Sequence, residues 1–379
     1  MDRLHEFREA FAQLFEINMG VKPGERIVVF GDSARQDEQL AEAEADRRKR
    51  LTETAEALGS FAHERFGAAE FVCFPATPSS GAEPPVALWR AVLGEANVAR
   101  LEAGGILARL LEKNADTDDL EKAREIVVQG REEVADVVVA LANNSTSHTR
   151  FRALVNAAGG RFASLPHFDP EMFFTSMKVD WQALAARTAR LAAALQGAVA
   201  LRLVTRNGTR MTFGCAGRRA AGDDGLLTGP GSFGNLPAGE VYLAPLEGTS
   251  EGELVLEYAP TRKLAPPVRL VVREGLVAEI HGSDPYADRL RQAIAGNPLV
   301  RNVAELGIGT NDRASRPDNI LEAEKILGTV HVALGDNSGF GGAVQVPFHE
   351  DYVFYHPTLT AVSADGAERV VLENGQLTI

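Results

Sequence analysis

A chain of 379 residues, 45% hydrophobic and 24% charged, has the apolar content for sizeable cores. Its length suggests two of them, since a single core stops growing at roughly 250–300 residues. The formal net charge of −13 argues against a nucleic-acid backbone or an anionic membrane surface as partner, because both need clustered Lys and Arg.

The N-terminal stretch places Leu4, Phe7, Phe11, Leu14 and Phe15 at spacings of three and four. That spacing predicts an amphipathic helix over 1–20, not a signal peptide. A KPGE turn leads into the apolar run Ile27–Phe30, ended by Gly31-Asp32, and residues 35–59 carry Ala and Leu at helical spacing. Further apolar runs at Phe71–Phe74, Val137–Leu141 and Phe162–Leu165 alternate with helical stretches at 120–134 and 152–158. This alternation predicts a Rossmann-like α/β domain: an open, mostly parallel sheet with helices on both faces. Residues 181–196 form a strong Ala/Leu helix and a plausible hinge.

After residue 197 the texture changes. Asn207-Gly208 sits between two alternating runs, a strong hairpin signal. ELVLEYAP, VRLVVREGLVAEIHG and RVVLENGQLTI repeat strands broken by Gly or Asn-Gly, with helices expected at 286–295 and near 319–327. The expected organisation is an α/β domain over 1–190 and a β-rich α+β domain over 191–379. No apolar run approaches the roughly 18–20 residues of a membrane span. Cys73 and Cys215 are the only cysteines and form no CxxC, which fits a reducing compartment. The expected location is the cytoplasm, with neither nucleic acid nor membrane as partner.

The chemistry concentrates between Glu305 and Asp351. The chain has eight histidines, and His331 and His349 fall within this stretch, beside acids. If HEDYVF is extended, His349 and Asp351 share one face and Glu350 points away. Glu305 precedes a GIG segment expected to be a flexible turn, and Glu240 opens another apparent strand in GNLPAGEVYLAP. Five such ligands are about what two adjacent cations need. Each also has an ordinary alternative, as a hydrogen-bonded strand histidine or a solvated acid, and spacing alone leaves both readings open.

The segments NLPAGEVYLAPLEGT (235–249), ELGIGTN (305–311), ILEAEKILGTVHVALGDNSGFGG (320–342) and the H-x-D at 349–351 resemble the M29 family of metallo-aminopeptidases, the aminopeptidase T group, in a divergent ELGIGTN branch. NSTSHTRFRAL (144–154) and RFASLPHF (161–168) resemble family segments more loosely. The resemblance implies that Glu240, Glu305, His331, His349 and Asp351 hold two divalent ions (Zn, Co or Mn). It makes Glu305 the catalytic carboxylate and Glu305 and Asp351 the candidates for sharing between ions. It implies a peptide substrate, removal of N-terminal residues by an activated water, and a homodimer. Peptidases of the family carry a Tyr shortly after the histidine matching His331, and here Ser338 occupies roughly that place. A relative of the branch cleaves dihydroxypyridine rings with a single iron and has a His where this chain has Glu305. A mononuclear Fe(II) ring-cleaving dioxygenase is therefore the alternative, and a catalytically inactive family member a third.

Overall fold

The computed structural model describes residues 3–260 and 262–379. They form two compact units. One runs up to Lys178 and adds Gly225–Pro237; the other comprises Val179–Asp224 and Ala238–Ile379.

The first unit is built on a five-stranded sheet in the order Ala69–Pro75, Ile27–Ser33, Val137–Leu141, Arg161–Ser164, Phe233–Asn235, with every pair parallel. Strands covered on both faces read as continuous apolar runs, and VVVAL at 137–141 is buried throughout. Helix Glu42–Phe66 lies against one face. It comes close because Gly31 and Gly59 leave room: a Cβ there would stand 2.8 Å from the Cβ of Ala55 and 2.7 Å from that of Phe71. Helices Val86–Leu93, Glu95–Ala103, Ile106–Leu111, Thr117–Gln129 and Arg150–Ala157 contribute Trp89, Leu101, Leu107, Val127 and Phe151 to a core with Val28, Phe30 and Phe162. The parallel sheet and its two helical faces match the expected class.

The second unit holds helix Trp181–Leu195 and two antiparallel sheets. The larger has eight strands and includes the hairpin of Ala198–Val204 and Arg210–Gly214 around Asn207-Gly208. The smaller runs in the order His349–Phe354, Val330–Gly335, Val303–Gly309, Glu240–Leu243, Ala221–Asp223. One core takes Leu201, Phe213, Leu254 and Leu270 from the larger sheet and Val241, Leu306, Val332 and Phe354 from the smaller. Helix Pro285–Gly296 forms as expected, with Asp284 as its N-cap. Of the helix expected near 319–327 only Ile320–Ala323 is present.

The division differs from a single cut near residue 190, which falls inside Trp181–Leu195. The return of 225–237 to the first unit rests on backbone pairing of Phe162–Ser164 with Phe233–Asn235, which leaves no mark in composition. Among the described residues no helix is long and apolar enough to cross a membrane.

Candidate metal centre

Side chains alternate along a strand, and residues directly opposite in an antiparallel pair share a face. On the smaller sheet of the second unit, this rule gathers the chemistry on one side. Glu240 opposes Gly309, Tyr242 opposes Gly307, and Gly307 in turn opposes His331. Glu305 opposes Ala333, Ala333 opposes Asp351, and Gly335 opposes His349. Four adjacent strands thus present Glu240, Glu305, His331, His349 and Asp351 to one face, while Val241, Leu306, Ile308, Val332 and Tyr352 fill the core on the other.

The residues between the donors are small for a reason. A Cβ on Gly307 would meet the His331 ring at 2.0 Å, and one on Gly309 would meet the carbonyl oxygen of Ile326 at 2.0 Å. GIG is therefore not a turn: it lies inside strand Val303–Gly309 and clears space for a ring and for a crossing backbone. A register shift between Val303 and Glu305 does the rest. Without it both would face the same way. With the bulge, Val303 joins the core and Glu305 is turned to the opposite face.

The five side chains meet. Glu240 Oε2 stands 3.3 Å from His331 Nε2, and His331 Nε2 is 3.4 Å from Glu305 Oε1. Glu305 Oε2 is 3.4 Å from His349 Nε2, which is 3.7 Å from Asp351 Oδ1. Two three-donor groups result, Glu240–Glu305–His331 and Glu305–His349–Asp351, with Glu305 common to both. Donors about 2.1 Å from a zinc-sized cation stand about 3.4 Å apart in a tetrahedron, so the spacings fit cation binding. His349 fits it by tautomer as well. Its Nδ1 is 2.8 Å from the Asp336 carbonyl oxygen, which only a protonated nitrogen can answer, so in the neutral ring Nε2 carries the lone pair toward the acids. Asp351 Oδ1 is buried without a hydrogen-bond partner. Two imidazoles and three carboxylates are a donor set that could hold a divalent cation.

The electrostatics agree. Burial raises the Glu305 carboxyl, but hydrogen bonds and charge from His331 and His349 outweigh it and hold it well below the usual carboxylate range. Burial lowers His331, yet Glu305, Glu240 and Asp351 push it up to about 9. His349 is likewise raised, with Asp351 and Glu305 overcoming burial.

Lys325 and Glu324 were not foreseen in the sequence, where they fall in the helix expected near 319–327. The backbone at Lys325 crosses Gly309 and is tied there by the Asn311 N–H, 2.9 Å from the Lys325 carbonyl oxygen. The buried Lys325 Nζ lies 2.6 Å from Glu240 Oε1 and 2.7 Å from Glu324 Oε1. Burial opposes its charge, but Glu240 and Glu324 keep it an ammonium. Glu240 is thereby left with Oε2 for a cation. Glu324 is pushed up to about 8 by burial, with Lys325 opposing and Asp351 and Glu240 adding.

Neighbouring polar and aromatic groups resolve plainly. Glu350 points away from the donors and pairs with Arg289 at 3.0 Å. Ser338 is exposed and its hydroxyl donates to Asp336 Oδ1 at 3.0 Å, away from the cluster. Tyr352 faces the core and shares a 2.7 Å hydrogen bond with Tyr286, and Tyr355 packs on Tyr258. The tyrosine that does share the donors' face is Tyr242, signalled in the sequence only by its place two residues after Glu240. His281 is exposed and pairs with Glu279.

Comparisons with known proteins bear on both the fold and the chemistry. No curated protein sequence matches the chain. The structure of 2,5-dihydroxypyridine dioxygenase from Pseudomonas putida KT2440 is similar over 100% of this chain and 98% of that one, with a TM-score of 0.69 and 18% identity. Wild-type AmpT from Thermus thermophilus, an M29 aminopeptidase, is similar over 99% of both chains, with a TM-score of 0.63 and 15% identity. At these identities the likeness establishes the fold, which is that of the M29 type. A family model described as NicX, 2,5-dihydroxypyridine 5,6-dioxygenase, matches residues 96–379, and these include all five clustered donors. The chain therefore belongs to the 2,5-dihydroxypyridine 5,6-dioxygenase (NicX) family.

Proposed function

We propose that this member of the family is a metal-dependent aminopeptidase, with two divalent cations held by Glu240, Glu305, His331, His349 and Asp351. The observation that carries the reading is the split of Glu305, whose two oxygens each face a different histidine. A carboxylate so placed would be shared by two cations if both three-donor groups were filled. Two histidines and three carboxylates also supply enough donors for a pair, where a single-ion centre needs about three protein ligands. Zinc, cobalt and manganese suit this mixed nitrogen and oxygen set.

The chemistry such a pair supplies when bound is an acidified water and a polarised scissile carbonyl. The chain's own residues do the rest. Lys325 fixes Glu240, the Asp336 carbonyl orients His349, and Glu305 joins the two three-donor groups. A pair of cations suits a substrate whose free α-amine is presented as a neutral nitrogen donor.

Family membership favours a second reading, a ring-cleaving dioxygenase with one Fe(II) on Glu305, His349 and Asp351. One experiment separates the two: metal analysis of gently purified protein, followed by assays on a leucyl chromogenic amide and on a dihydroxypyridine. Close to two ions per chain with chelator-sensitive release of leucine is expected. One iron with oxygen uptake on the pyridine would overturn the peptidase reading.

A further inference from the structure

Beside the donors, on the same face, stands an aromatic pair that the proposed chemistry does not use. Tyr242 shares its row with Gly307 and His331, and its ring meets Phe340 edge-on at 5.7 Å between centroids. Phe340 in turn meets the His349 ring edge-on at 6.0 Å. Both rings are half-buried and neither is part of the core beneath the sheet.

The loop that carries Phe340 is held firmly. Asn337 is fully buried, donates to Glu247 Oε1 at 3.0 Å and accepts from the Val344 N–H at 2.9 Å. The Gly342 N–H closes the loop on the Asn337 carbonyl at 2.9 Å, and Asp336 Oδ2 accepts from the Val346 N–H at 2.9 Å. Asp336 is also the residue whose carbonyl fixes His349. One loop therefore sets a donor's orientation and holds an apolar ring next to it, so little ordering remains for a ligand to impose.

We propose that Phe340 and Tyr242 form the wall that receives the side chain of the residue being released, so that the substrates are peptides beginning with a large apolar or aromatic residue. The identity of that side chain rests on the aminopeptidase reading. The wall is apolar beside the donor cluster, which suits a substrate whose first residue has a neutral amine at one end and a hydrocarbon side chain at the other.

The test uses zinc-loaded full-length protein, with calorimetric binding of phenylalanine amide and alanine amide and kcat/KM on the matching chromogenic amides. Phe340→Ala is expected to weaken phenylalanine amide about tenfold and alanine amide less than about twofold, and to lower the kcat/KM ratio by about tenfold. Phe340→Leu, which keeps apolar bulk, is expected to recover most of the loss. Metal content of each variant reports whether His349 has moved. Equal binding of both amides by the native protein, or an unchanged ratio in Phe340→Ala, would overturn the wall. Discrimination in binding without release of any amine would sustain the wall and overturn the hydrolase reading.

Discussion

Asp32 in the first unit and Glu305 in the second are both buried carboxylates on sheet strands, and their partners set them apart. Asp32 lies near the end of the strand flanked by Ala69–Pro75 and Val137–Leu141, the kind of position where open α/β sheets bind ligands. Here the chain itself answers it. The backbone N–H groups of Asn143 and Asn144 donate at 2.8 and 3.2 Å, and the buried Arg48 guanidinium stands 3.8 Å away. Burial pushes its carboxyl up, against the pull of those donors. Glu305 faces two imidazoles and stands within reach of two further acids. A buried acid met by amides and arginine is answered by its own chain; one met by histidines and other acids belongs to a group that could hold a metal.

That comparison breaks most directly at the donors. His349→Ala and Glu305→Ala are each expected to remove nearly all bound metal while the far-ultraviolet circular dichroism stays native. Metal content unchanged from the native protein would sink the ligand assignment. The next largest effect belongs to Lys325→Met, which leaves Glu240 and Glu324 without their shared cation. It should destabilise the metal-free protein by about 3 kcal/mol in urea unfolding, and added zinc should return part of that. A loss that zinc does not touch would separate Lys325 from the centre.

Asp32→Ala tests the other side. Orphaning the two amides should cost about 1–3 kcal/mol of stability, with Arg48 still paired to Glu38 and metal per folded chain unchanged. Loss of metal from the folded variant would make Asp32 more than scaffold. A smaller effect is expected at Asp284, a scaffold acid of the second unit. A hydrogen bond from Arg262 and the N–H groups of Tyr286 and Ala265 hold its carboxyl well below the usual range. A depressed carboxyl stabilises the fold above its unfolded value, about 3.8, and the contribution is lost as pH falls through the folded value. Asp284→Asn should therefore lower the Tm at pH 7 by a few degrees and by progressively less as the pH drops below 3. An equal loss at both pH values would assign the effect to geometry instead of charge.

Much of this was legible in the residues. VVVAL over 137–141 and the Asn207-Gly208 hairpin formed where their patterns placed them. His349 and Asp351 share a face because strand periodicity requires it. The helices between residues 86 and 111 were missed because they are short, and glycines at 94 and 105 break their periodicity. Lys325 was invisible because its value comes from the backbone crossing at Gly309.

The sequence alone determined the alternating and continuous apolar runs, and hence a parallel α/β unit followed by antiparallel sheets. Those depend on local period and composition, which any stretch of chain carries by itself. Only the tertiary structure decided which donors meet. The bulge that turns Glu305 away from Val303, the alignment of Glu240 through Asp351 across four strands, and the arrival of Lys325 beside Glu240 are set by pairing between distant segments. A one-residue change of register would send each of these side chains to the opposite face.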